Sequence, residues 1–290
     1  MDTKIYYRNI LVNGLRVFYR EAGNIHAPGI VLFHGFPTSS HMFRDLIPIL
    51  AREYHVIAPD YPGFGNSEIP DRENFSYTFD HISDVIEKFL IEVNMIRFAM
   101  YVFDYGAPIG FRIAMRNPEW ITGVISQNGN IYKEGLGKKW SEREKYWKNP
   151  TEELRKKYKS AFKADTIINQ YLGGTQEGTV APDGYILDIA YMNRAGMDEI
   201  QSDLIFDYQE NVKLYPQFQQ YLREHQPPVL CVWGKNDVSF IPKGAYAYEK
   251  DVPNVEVHLL DSGHFALETH ASEIGNAILN FMNKRKQGEK

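Results

Sequence analysis

The chain has 290 residues, 43% of them hydrophobic and 24% charged, and a formal net charge of −5. This suits one sizeable globular core with room for an insertion, and so mild a charge argues against nucleic acid or an anionic membrane as a partner. Cys231 is the only cysteine, which leaves no disulfide framework and no cysteine-based metal site, and no apolar run approaches the roughly 18 residues of a membrane span.

In chain order, the start from Met1 to Tyr6 lacks the long apolar stretch of a signal peptide, so a cytosolic protein is expected. Residues 5–10 and 15–20 are β-rich and flank Asn13-Gly14, a strong hairpin turn. Residues 29–33 form a continuous apolar run, the pattern of a buried strand. Helical spacing over 43–53 is followed by a strand over 54–58 that ends at Pro59-Asp60. Residues 78–94 predict a long amphipathic helix, with Phe79, Ile82, Val85, Ile86, Phe89, Leu90 and Val93 on one face. A strand over 97–103, a helix over 106–116 and a strand over 123–127 follow.

The strand–helix rhythm then stops. From Asn130 to about Gln226 the pattern is helical, with Trp140, Trp147 and many tyrosines. Residues 131–170 hold eleven Lys/Arg against six Asp/Glu, which reads as a solvated helix face. After Pro227-Pro228 the alternation resumes, with a strand at 229–233, a helix at 242–250, a strand at 255–260 and a closing helix at 266–283. The last residues, from Lys284 to Lys290, read as a frayed, solvated tail. The predicted architecture is α/β: a mostly parallel sheet flanked by helices, built from residues 1–129 and 227–290. A helical cap, or lid, spans 130–226 and is inserted late in the sheet.

Four loops after predicted strands carry polar groups. They are His34-Gly35-Phe36-Pro37, Asp104-Tyr105-Gly106, Gly234-Lys235-Asn236-Asp237 and Ser262-Gly263-His264-Phe265. Ligands of open parallel sheets bind beyond the carboxyl ends of the strands, so these loops are expected to converge. Asp104 stands where a strand turns sharply into a helix. A carboxylate there can attack a carbon and form an ester that water must cleave. The alternative for Asp104 is a helix N-cap. For Asp237, ordinary turn chemistry is the alternative. The stretch after 123–127 offers only Asn128 and Asn130 as rival acids, and neither carries charge.

These four segments, together with Asp60-Tyr61-Pro62-Gly63-Phe64-Gly65-Asn66-Ser67, resemble the motifs of the α/β-hydrolase family, in the same chain order. The resemblance runs from about Ile5 to Phe281. It is to the aspartate-nucleophile branch, which holds epoxide hydrolases and haloalkane and haloacetate dehalogenases. The family's elbow has a glycine two residues before the nucleophile, and here Val102 occupies that place, which is expected to crowd the turn.

The resemblance implies a triad of Asp104 as nucleophile, His264 as base for water and Asp237 as its orienting acid. It also implies an oxyanion hole of the Phe36 and Tyr105 backbone N–H groups. The helix that begins after Asp104 is expected to favour its anionic form. Haloalkane dehalogenases place an Asn after His-Gly and a Trp after the nucleophile to hold the leaving halide. Haloacetate dehalogenases place an Arg there to hold a carboxylate. Phe36 and Tyr105 supply neither. Epoxide hydrolases use lid tyrosines to protonate the leaving alkoxide, and residues 206–211 resemble their second lid-tyrosine segment. Tyr208 is the candidate, with Tyr146 as partner and Trp147, Tyr132 and Tyr171 as rivals.

His34 and Trp147 are expected to line a largely apolar pocket. The resemblance implies a small-molecule substrate, no metal and no organic cofactor. The expected activity is the opening of a neutral epoxide to a diol. The alternatives are a dehalogenase with an atypical halide site and a non-catalytic ligand-binding protein of the same fold.

Overall fold

A computed structural model describes residues 3–288, with side chains through Lys284. Met1 and Asp2 lie outside the described residues, as do Glu289 and Lys290; the tail expected from Lys284 is instead helical backbone through Gly288. Eight strands form one sheet: β1 (Tyr6–Val12), β2 (Leu15–Ala22), β3 (Gly29–Phe33), β4 (His55–Pro59), β5 (Phe98–Phe103), β6 (Ile121–Gln127), β7 (Val229–Gly234) and β8 (Glu256–Leu260). Their order is β1-β2-β4-β3-β5-β6-β7-β8. β1 and β2 pair antiparallel around Asn13 (φ 52) and Gly14 (φ 84), the two left-handed residues that a tight hairpin turn needs. β2 is antiparallel to β4, and from β4 to β8 the pairings are parallel.

β4, β5 and β7 are buried along their whole length, which is why their sequences are apolar without alternation. The helices of the α/β alternation are α1 (Ile47–Leu50), α2 (Phe79–Glu92), α3 (Gly106–Arg116), α9 (Lys243–Ala247) and α10 (Leu267–Gly288). Chain order reverses at β3, which leads to β4 on one side and has β5 on the other. A crevice opens beyond the strand ends at such a switch point. The loops after β3 and β5, with Phe36 and Asp104, lie there.

Between β6 and β7 the chain leaves the sheet and forms α4 (Lys139–Lys148), α5 (Glu152–Tyr158), α6 (Ala164–Leu172), α7 (Pro182–Met192) and α8 (Met197–His225). α8 packs on α2, α3 and α4. It is tied to the sheet layer by two polar contacts, one half-buried and one buried. The Asp207 carboxylate accepts from the Phe79 N–H at 2.8 Å, at the first turn of α2. The buried Arg112 guanidinium of α3 donates to Asn211 Oδ1 at 2.6 Å.

Two predicted helices differ from those observed. The helix expected over 43–53 is instead a 3₁₀ turn at Ser40–Phe43 followed by the short α1, because Pro48 suits only a first helical turn. The 242–250 helix narrows to α9 and a 3₁₀ turn at Tyr248–Lys250. Among the described residues no helix is long and apolar enough to cross a membrane.

Candidate active site

Asp104 follows the last residue of β5 in the left-handed region, φ 48, and the chain enters α3 two residues later. Close approaches dictate the neighbouring glycines. A Cβ on Gly35 would lie 2.6 Å from Asp104 Oδ1, and one on Gly106 would lie 2.2 Å from the Phe33 carbonyl oxygen. The expected crowding by Val102 is relieved elsewhere. Its side chain fills space left by two other glycines, since a Cβ on Gly110 would come within 2.8 Å of Val102 Cγ1 and one on Gly129 within 3.0 Å of Cγ2. The missing small residue has in effect moved to α3 and to the loop after β6.

The strand-end loops converge as their order implied. Asp104 Oδ1 accepts from the Phe36 N–H at 2.8 Å, and the neighbouring Tyr105 N–H also favours the carboxylate anion. Asp104 Oδ2 lies 3.7 Å from His264 Nε2, and His264 Nδ1 is 2.7 Å from Asp237 Oδ2. All three side chains are buried. Asp237 is braced further by the Ser239 N–H at 2.7 Å and by Asn128 Nδ2 at 2.8 Å. Asn128 has φ 47, and its Oδ1 accepts from the Gly234 N–H at 3.0 Å. The rival position after β6 therefore holds a neutral amide that supports the acid.

Burial pushes the Asp104 carboxyl up from its ordinary value, while His264, the two N–H groups and Arg143 pull it down; the net direction is up. The N–H at the helix start favours the anion, as expected, but desolvation outweighs it. At His264, burial opposes the imidazolium, but Asp237 and Asp104 more than offset that, so its pKa is raised.

On the insertion side Tyr208 is buried, with its ring 5.8 Å from that of Tyr105 and 4.4 Å from that of Trp140. Its hydroxyl is 3.3 Å from that of Tyr215, which accepts from Asn130 Nδ2 at 3.3 Å. Burial, then Tyr215, then Asp104 push the Tyr208 hydroxyl far above the usual phenol value. The structure does not bring Tyr146 to Asp104. Its ring packs between Tyr158 and Phe206, at 5.1 and 5.4 Å, because α4 turns that face into the insertion. Among the rivals, the Tyr132 hydroxyl donates to Asp251 and that of Tyr171 to Asp188.

Trp147 stacks 6.5 Å from Tyr208, and its indole N–H is taken by the Ile205 carbonyl at 3.1 Å. His34 does not line the pocket. It is fully buried under the loop, stacked 3.9 Å from Tyr61, whose N–H donates to its Nε2 at 3.3 Å, and burial lowers its pKa to about 3.

Between insertion and sheet lies a cleft of about 520 Å³ that reaches Phe36, Asp237 and His264. Its walls are more apolar than polar, as expected, but α4 and α5 also turn Lys139, Glu142, Arg143 and Lys157 into it. Part of the basic excess in 131–170 thus faces the cleft. Tyr215 and Asn128 were missed from sequence. The spacing of Tyr215 from Tyr208, two helical turns, was the available signal. Among the described residues no cluster of three His, Cys, Asp or Glu is placed to hold a metal ion.

A sheet switched at β3, a sharp turn bearing Asp104 and a histidine–carboxylate pair beyond β8 and β7 define a class that the comparisons make explicit. Residues 28–271 match the family model described as the alpha/beta hydrolase fold, and the chain belongs to that family. It is similar to an uncharacterized hydrolase of Saccharomyces cerevisiae, 48% identical over 272 residues, covering 92% of this chain and 93% of that one. It is 27% identical to a haloalkane dehalogenase of Mycolicibacterium paratuberculosis, covering 92% of this chain and 87% of that one. The fold matches the haloalkane dehalogenase DbeA from Bradyrhizobium elkani with a TM-score of 0.80 at 22% identity, covering 98% and 100% of the two chains. It also matches the epoxide hydrolase CorEH with a TM-score of 0.78 at 18% identity, covering 97% and 99%.

Proposed function

We propose that this hydrolase opens epoxides to diols through an ester on Asp104, with the helical insertion serving as a cap that supplies the acid. An Asp104 oxygen attacks one epoxide carbon, the carbon–oxygen bond breaks, and the alkoxide takes a proton from the Tyr208–Tyr215 pair. His264, oriented by Asp237, then removes a proton from water. The hydroxide adds to the ester carbonyl, and the Phe36 and Tyr105 N–H groups stabilise the oxyanion. Cleavage of the acyl–oxygen bond expels an alkoxide that takes the His264 proton to give the diol, and the proton left on the Asp104 carboxyl returns to the tyrosinate through solvent.

The observation that carries this reading is the tyrosine pair. Tyr215 oxygen already accepts from Asn130, and one phenolic hydrogen lies between the two hydroxyls. Whichever tyrosine donates to the other, one phenolic hydrogen is left for an incoming oxygen. A phenol whose pKa is raised stays protonated at neutral pH and is matched to an alkoxide leaving group.

Carbon–halogen cleavage is the second reading, favoured by the dehalogenase relatives. It requires donors for the halide. Phe36 has no side-chain donor, and the indole N–H groups of Trp140 and Trp147 are bonded to the Ser239 and Ile205 carbonyls. The Tyr105 hydroxyl, which has no hydrogen-bond partner among the described residues, and the free hydrogen of the Tyr208–Tyr215 pair are the remaining side-chain donors for it. Styrene oxides and bromoalkanes supplied separately, with diol and bromide read independently, decide between them. Diol without bromide is expected. Bromide without diol overturns the epoxide reading, and binding with no turnover of either points to a non-catalytic ligand-binding role.

A further inference from the structure

α4 presents two cations to the cleft that the proposed chemistry does not use. Lys139 and Arg143 stand four residues apart, on one helical face, and both line the cleft that reaches Phe36 and His264. The third cation there, Lys157, is engaged by Glu142 at 3.2 Å. Deeper in the sequence, Arg155 and Lys159 are likewise paired with Glu199. Among the described residues no carboxylate pairs with Lys139 or Arg143.

The Arg143 guanidinium is instead held over the Trp140 ring, 4.2 Å from its centroid. A guanidinium held over an aromatic face keeps N–H groups free for a planar acceptor. Trp140 in turn lies 4.4 Å from Tyr208, so the guanidinium is one aromatic ring away from the proposed acid. Its charge is felt at the reacting group, since Arg143 contributes to holding the Asp104 carboxyl down against burial.

We infer that Arg143, with Lys139 beside it, forms a subsite for a carboxylate on the substrate. The preferred substrate is then an electrophile with an anionic end, rather than the neutral, largely apolar one expected from the sequence. The inference rests on the proposed epoxide opening for its reaction, and on the cleft alone for its binding.

Binding is therefore tested first, without turnover. The full chain is titrated with 4-vinylbenzoate and with its neutral isostere 4-vinylbenzamide. The carboxylate is expected to bind about ten- to hundredfold tighter, the range of a charge-assisted bidentate contact. Arg143→Gln should bring that ratio close to one, Arg143→Lys should restore part of it, and Lys139→Gln should lower it by a smaller factor. A ratio near one in the unaltered protein, or one that Arg143→Gln leaves intact, overturns the subsite. The matching 4-oxiranylbenzoate and 4-oxiranylbenzamide then carry the comparison to kcat/KM, where the same ratios are expected. If the binding preference is present and depends on Arg143 but neither epoxide is opened, the subsite stands and the epoxide reading falls.

Discussion

The two walls of the cleft are held in place by different physics. On the sheet side, Asp104, His264 and Asp237 sit on short turns at strand ends, buried, and fixed by hydrogen bonds of 2.7–2.8 Å from Phe36, Ser239 and Asn128. On the insertion side, α8 is anchored through Asp207 and Asn211, and α4 through the Trp140 indole N–H on the Ser239 carbonyl. α5 and the turn after it are held largely by partly exposed ion pairs, Arg155 to Glu199 and Asp203, and Lys159 to Asp198 and Glu199. Buried, charge-assisted contacts leave little freedom to the groups they hold, whereas exposed pairs contribute little and yield to salt. One wall is therefore built to fix reacting atoms, and the other to adapt to what is bound.

The sharpest test of the rigid wall is Asp237→Asn, which keeps its shape and removes its charge. Turnover should fall about 10²- to 10⁴-fold. His264 acts as a base only when neutral, and its pKa is raised, so turnover in the unaltered enzyme should rise with pH along a limb above the ordinary imidazole value of about 6.5. Without the Asp237 charge that limb should move to lower pH; a kcat profile that keeps its position contradicts the role given to Asp237. On the insertion side, Tyr208→Phe should slow epoxide opening by about 10²-fold. Adding Tyr215→Phe should cost less than the product of the single losses, because the pair shares one hydrogen. Independent, multiplicative losses in single-turnover rates break the account of the pair.

Two smaller effects compare packing with surface charge. Gly110→Ala should destabilise the fold by about 1–3 kcal/mol through contact with Val102. Val102→Ala in the same chain should recover most of this in urea unfolding, and no recovery means that Val102 is not what Gly110 accommodates. Arg155→Ala should cost about 1 kcal/mol or less. A larger loss of stability, or one indifferent to salt, contradicts the picture of a loosely held α5.

The same contrast explains what could be read from the sequence. The parallel sheet was legible because β3, β5 and β7 are apolar runs ended by turn residues, and Asp104 and His264 stood out because each occupies a strand-end loop. Asp237 was less clear against turn chemistry, and its brace Asn128 was set aside for lacking charge, although a neutral amide is what a buried carboxylate can use. Val102 seemed to crowd the elbow because its relief comes from Gly110 and Gly129, which meet it only in three dimensions. In the insertion, nineteen tyrosines in the chain made any one of them a weak candidate. Tyr146 packs between Tyr158 and Phe206 whereas Tyr215 meets Tyr208 and Asn130, and composition does not report that. The basic stretch of α4 and α5 hid its two unpaired cleft-facing members, Lys139 and Arg143, among cations that pair with carboxylates.

The central claim, that Asp104 becomes covalently attached, is tested most directly by a single turnover in heavy-oxygen water with enzyme in excess over styrene oxide. Mass spectrometry of the peptide containing Asp104 should find the label in its carboxylate, with the first diol formed unlabelled. Label in that diol and none in Asp104 would mean that water attacks the substrate directly, and the covalent account would be wrong.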